Sequence, residues 1–181
     1  QALCIACESR RDIEEQLQEI QEDSRLSPNA KRRALRSKQE ELMKSDANWI
    51  RLNARQELKR RAERNRDEIL DALTGWCRGL DPQAPDFEHH QVEVLWAAQA
   101  LHAIQPKMLR VVLQSTDHRA RASAVRILYF WHRELPDAEQ LLADAVSDRH
   151  PQVRREAVTA LGQLESPTAV EVATRVLDRP L

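Results

Sequence analysis

Cys4-Ile-Ala-Cys7 is the tightest pairing of reactive side chains in this chain of 181 residues. Attaching a c-type haem takes Cys-x-x-Cys followed at once by His, because two thioethers and an axial imidazole must meet one porphyrin. Glu8 stands where that His belongs, so haem attachment is not expected. A zinc site wants four ligands, and Cys77 is the one thiol left to contribute. A local disulfide, or two free thiols, is the plainer reading of Cys4 and Cys7. Three cysteines, an odd number, leave the redox compartment open.

His89-His90 is the next pair that invites a metal. Neighbours on a helix point about 100° apart, so both cannot easily reach one ion, and no His-Glu-x-x-His pattern occurs. Polar or packing roles at a helix start are expected instead. His102, His118, His132 and His150 are scattered, three of them near turns. With Gly75, Gly79 and Gly162 the only glycines, there is no phosphate-cradling loop and no nucleophile elbow. Catalytic residues, metal ligands and cofactors are therefore all expected to be none.

The remaining candidate is basic. Lys59, Arg60, Arg61 and Arg64, with Arg66, form the densest cationic cluster. At helical spacing they spread round the helix, so a solvated helix end is the ordinary reading and a phosphate or acidic-partner contact the functional one. The cluster lies in a block of alternating sign: residues 1–30 carry −4, 31–66 carry +8, 67–101 carry −6 and 102–181 carry +1. Only residues 31–66 could be an electrostatic footprint for a polyanion. That block motivates nucleic-acid binding as the alternative function, and the acidic block beside it argues against it.

These residues must be positioned by helices. Arg121-Ala-Ser-Ala-Val-Arg-Ile-Leu128 and Arg154-Arg-Glu-Ala-Val-Thr-Ala-Leu161 repeat one phrase at an offset of 33 residues. Ala120 falls on Val153, Ala124 on Ala157, Val125 on Val158 and Leu128 on Leu161. A fainter copy begins at Arg51, and another runs from Val94 to Leu101 with Val94 in the place of Arg. A period of this size marks helix pairs stacked in series.

About nine helices are expected. Helices at 8–23 and 29–44 meet at Ser27-Pro28, an N-cap followed by Pro in the first turn. Helices at 46–61, 66–79 and 89–104 follow, then 118–132 as the first strong repeat helix, and Pro106, Pro136, Pro151 and Pro167 each open one more. Residues 1–45 read as an N-terminal hairpin, a cap or extension, and 46–181 as the repeat array. Trp49, Trp76, Trp96 and Trp131 sit on apolar faces where packing between repeats is the default. No apolar run approaches the ~20 residues of a membrane-spanning helix. With no initiator Met and no signal-peptide pattern, a piece of a longer chain is favoured.

The repeated residues have physical work to do. Ala124 and Ala157 let helices come close, and each Val or Leu beside them contributes roughly 1.5–3 kcal/mol on burial. Asp117 and Asp148 lie in turns before the repeated helices, where a carboxylate can satisfy free N–H groups. Arg121 and Arg154 can bridge to the Asp of an adjacent turn as a ladder of exposed pairs, each adding about 0–1 kcal/mol. Val94 leaves out one rung.

This phrase resembles HEAT repeats, whose second helix commonly begins Asp-x-x-Val/Ala-Arg and continues Ala-x-x-Ala-Leu. The resemblance covers roughly residues 46–181 and implies a right-handed α-solenoid of stacked hairpins, a non-catalytic scaffold for protein partners or for neighbouring domains of its parent. Ala47–Arg61, Asp67-Glu68, Leu80-Asp81-Pro82 and Glu88-His89-His90 leading to Leu95-Trp96 resemble, more narrowly, the HEAT segment of large secreted planctomycete-type proteins. Those proteins join a PVC-type dehydrogenase propeller, a HEAT segment and a c-type cytochrome domain. In that family the Trp is followed by a His-Gln pair, where this chain has Ala98-Gln99. The resemblance implies a periplasmic or secreted parent but transfers no redox chemistry, since neither propeller nor cytochrome sequence is present.

Overall fold

The computed structural model describes the backbone of residues 2–45, 48–164 and 166–178, and their side chains from Asp12 onward, Asn48 and Trp49 excepted. Cys4, Cys7, Trp49 and Asp46 thus fall outside the described side chains. The described residues form nine α-helices and one short 3-10 turn, with no strand. They divide into two compact units, 1–81 and 82–181. The sequence-based boundary at residue 45 falls inside the first.

The first unit contains α1 (Ala2–Glu22), α2 (Pro28–Met43) and α3 (Asn48–Arg78). Ser27 accepts a hydrogen bond from Ala30 N–H at 3.3 Å, with Pro28 in the first turn, so α2 starts where its cap directs. The two helices read at 46–61 and 66–79 are present, running together as α3 across a kink where Asn65 leaves helical backbone (φ −134°, ψ 47°). All three helices pack on one another. Ile13 and Leu17 of α1, Leu42 and Met43 of α2, and Leu58, Ile69, Leu73 and Trp76 of α3 are buried.

The second unit is a two-layer helical stack. α4 (Phe87–Ala100), α6 (His118–Phe130) and α8 (Pro151–Leu161) pack in succession as one layer, the repeated phrase lying on the last two. α5 (Pro106–Leu113) packs on α6, α7 (Ala138–Val146) on α8, and α9 (Pro167–Thr174) on α7 and α8. Ala124, Val125, Leu128, Val153, Ala157 and Leu161 are almost wholly buried, while Val158 is half-buried. Pro occupies the first turn of α5, α8 and α9. Pro136 does not open α7: Ala138 N–H bonds to Leu135 O at 3.1 Å, placing the proline in a turn ahead of the helix. α4 ends with His102 in the left-handed region (φ 50°), and Ala103 N–H reaches back to Ala98 O at 2.8 Å. That is a Schellman closure, usually given to Gly because a Cβ is strained there.

Three of the four copies of the phrase share a buried arginine tied to its own turn. Arg121 Nη1 donates to the carbonyls of Ser115 at 2.9 Å and Thr116 at 3.0 Å. Arg154 Nη1 donates to those of Asp148 at 2.9 Å and Arg149 at 3.2 Å. In the first unit Arg51 donates to Ser45 O at 2.5 Å. The three are 5–9% exposed. Arg121 also forks onto Asp148, Nε to Oδ2 at 2.8 Å and Nη2 to Oδ1 at 2.9 Å. This rung is buried rather than exposed, the Arg121 and Asp148 side chains being 6% and 14% accessible.

Further links run one repeat forward. Arg110 meets Asp137 at 2.9 Å, Arg126 meets Glu156 at 2.8 Å, and Thr168 donates to Glu139 at 3.2 Å. At α4, where Val94 replaces the arginine, the link changes polarity. Glu88 accepts from Thr116 N–H at 2.7 Å and Asp117 N–H at 2.9 Å.

His118 and His150, at the starts of α6 and α8, stack with ring centroids 3.6 Å apart. His150 Nδ1 caps α8 by accepting from Gln152 N–H at 3.2 Å, which requires that nitrogen unprotonated. Burial, then the charges of His118, Arg121 and Arg154, hold the His150 imidazolium below its ordinary range, with Asp148 opposing.

Two outcomes are expected. Arg121→Met leaves Asp148 and two carbonyls without their donor, lowering the unfolding free energy by about 3–5 kcal/mol in denaturant titrations. A group whose folded-state pKa is depressed contributes stability above its unfolded value, roughly 6.5 for His, and loses it as pH falls through the folded value. Thermal melting should therefore drop between pH 7.5 and 5, and His150→Asn, which keeps a capping side chain, should flatten that drop.

Candidate partner interface

The charged surface of the first unit is built by two helices. α2 contributes Lys31, Arg32, Arg33 and Arg36, and α3 contributes Arg60, Arg61 and Arg64. These seven cations, against Glu68 and Asp71, line an open cleft of about 1090 Å³. Leu26, Leu35, Ile69 and Ala72 supply apolar surface within it, and Asn65, where α3 breaks, lies on its wall. Of the cluster read from sequence, Arg60, Arg61 and Arg64 are brought into the cleft, while Lys59 is exposed outside its lining. The α2 wall was missed. Its signal was the +8 of residues 31–66, which the α2–α3 packing folds onto both sides of one groove.

Several of these cations already have partners. Arg60 forks onto Glu57, Nε at 2.8 Å and Nη2 at 2.6 Å, and Arg61 Nε joins it at 2.7 Å. Glu57 is buried, which by itself pushes its carboxyl upward, but the hydrogen bonds and charges of Arg60 and Arg61 hold it below the usual carboxylate range. Lys31 Nζ donates to Gln21 O at 2.7 Å, and Arg32 lies 3.8 Å from Glu68. Arg36 donates to Ala72 O at 3.3 Å and lies 3.4 Å from Glu40. A Cβ at Gly75 would collide with the Arg36 guanidinium, so the glycine makes room for that arginine against α3. Arg33 and Arg64 are exposed and make no ion pair among the described residues.

The other candidates have structural surroundings. Asp117 caps α6 by accepting from Arg119 N–H at 2.8 Å, and Asp148 accepts from His150 N–H at 2.7 Å besides its fork from Arg121. Burial raises the Asp148 carboxyl, and the Arg121 and His150 hydrogen bonds more than offset it. His90 is buried with Nε2 3.3 Å from Asp86, while the exposed His89 lies 4.0 Å from Glu93. The two rings therefore turn to different carboxylates, as their separation on a helix requires. Trp76 and Trp131 are buried, and Trp96 is half-buried. Burial raises the Cys77 thiol above its ordinary value. Among the described residues no cluster of His, Cys, Asp or Glu is arranged to hold a metal ion, and no helix is long and apolar enough to cross a membrane.

Residues 106–180 match the family model for HEAT repeats, a span that begins with α5. The match falls on the two strong copies of the phrase and leaves the first unit outside it. No curated protein matches the chain.

Glu57 is the countercharge beneath the cleft, and its removal has a pH signature. Glu57→Gln removes the negative charge and one of the two acceptor oxygens that Arg60 and Arg61 share, and should cost about 1–3 kcal/mol at pH 7. Because the folded carboxyl is held low, that contribution exists above the ordinary carboxylate range and disappears as pH falls through the folded value. Urea titrations of both proteins should accordingly converge toward pH 3.

Proposed function

We propose that the chain is a non-catalytic scaffold, a HEAT-like stack that presents its helices to a protein partner or to neighbouring domains of its parent. The observation that carries this reading is the polar fastening of the second unit. Each link, from Glu88–Asp117 to Arg126–Glu156, joins groups 27 to 30 residues apart, one repeat forward. A stack pinned at every repeat holds surface groups at defined separations, which is what a scaffold must do and what helical-repeat architectures are built for. The family match over 106–180 supports the same reading, since HEAT repeats typically mediate protein interactions.

The parent we propose is an exported redox protein, with this segment spacing its propeller from its haem domain. The resemblance at Ala47–Arg61 and Glu88–Trp96 supports that context. Nucleic-acid binding remains the rival, favoured by the seven cations of the first unit. It is disfavoured because Arg60, Arg61, Arg32, Arg36 and Lys31 already have acceptors, so few cations remain to displace counterions from phosphates.

Rigid spacing is testable directly. Spin labels placed by Val111→Cys and Val170→Cys on exposed sites of α5 and α9, in a chain with its own cysteines replaced, should give one narrow distance distribution. Arg121→Met should broaden it. A broad distribution before that substitution would remove the scaffold reading, and a DNA affinity that falls steeply with added salt would favour the rival.

A further inference from the structure

We infer that the α1–α2–α3 cleft is a docking groove for an acidic amphipathic helix of a protein partner, a step that rests on the scaffold reading and names its partner's chemistry. The cations stand at helical spacing on both walls. Arg32, Arg33 and Arg36 are separated by three and four residues on α2, as are Arg60, Arg61 and Arg64 on α3. Between them lies apolar surface from the half-buried Leu26, Leu35 and Ala72. A third helix laid between two others meets just this arrangement when its apolar stripe faces the floor and its carboxylates flank that stripe on each side. Helices pack at 8–10 Å between axes, so carboxylates on the ligand reach guanidinium groups on the walls.

Charge complementarity selects an acidic occupant, and the apolar floor selects a patterned one. Duplex DNA offers phosphates without apolar side chains to cover Leu26 and Leu35. Arg33 and Arg64, exposed and unpaired among the described residues, are the groups with most to gain from incoming carboxylates. The paired arginines serve differently: Glu57 holds Arg60 and Arg61, and Arg36, beside Gly75, donates to Ala72 O, so these three have set positions before the partner arrives.

The test uses the full chain and a fluorescently labelled peptide of eighteen residues, Leu and Ile at i, i+3, i+4 and i+7 with Glu on both flanks. The control is a scrambled peptide of equal composition. Anisotropy titrations should show the patterned peptide binding at least tenfold tighter than the scrambled one. The double variant Arg33→Glu/Arg64→Glu, both sites exposed and its fold verified by circular dichroism, should weaken binding at least tenfold. Hydrogen-exchange protection should appear on α2 and α3. Equal affinity for the two peptides, tighter binding of a DNA duplex, or indifference to the double variant would each overturn the inference. A narrow spin-label distance in the same protein would then show that the groove assignment failed while the scaffold stands.

Discussion

A guanidinium taken out of water must find an acceptor for nearly all of its five donors, and that demand organises the repeats. Arg51, Arg121 and Arg154 all meet it first with a carbonyl six residues earlier, which closes the turn before their own helix. Arg121 then spends its other edge on Asp148, the next turn in the series. The charge pair itself is weak evidence for stability, because apolar replacements of equal shape can do as well. Its consequence is register. Ala120, Ala124, Val153 and Ala157 are buried between α6 and α8, beside turns carrying Ser115 and Asp148 that Arg121 joins.

The repeat helices were legible because their apolar residues recur at one face and at one offset, so periodicity alone locates α6 and α8. The boundaries that differ have local causes. Asn65 kinks α3 between its two helical stretches without a connecting turn, and Pro136 sits in a turn closed by Leu135 O instead of opening α7. Glu88 carried no sequence signal for its task, since what it serves is the backbone N–H of Thr116 and Asp117, and any residue pair offers those. Arg121 was legible as a bridge but not as a buried one. Its burial follows from the packing of α6 between α4 and α8, which the sequence alone does not show.

The cleft was half legible. Arg60, Arg61 and Arg64 cluster in sequence, but the opposite wall comes from a helix whose composition reads as a solvated face. Only the packing of α2 on α3, through Leu42, Met43, Leu58 and Leu73, turns two charged surfaces toward one space. Such an accumulation of like charge opposes folding unless some of it is compensated within. Glu57 does this from below, and backbone carbonyls of Gln21 and Ala72 take up Lys31 and Arg36.

Arg51, Arg121 and Arg154 each fasten the loop that precedes them, and the outward bond of Arg121 spans a single neighbour. A hairpin copied whole therefore carries its own clasp with it. Lengthening such a chain by tandem duplication preserves every fastening, whereas gaining or losing a fraction of a hairpin strands a cation from its carbonyls. Growth of the array by complete units is thus written into the placement of one side chain.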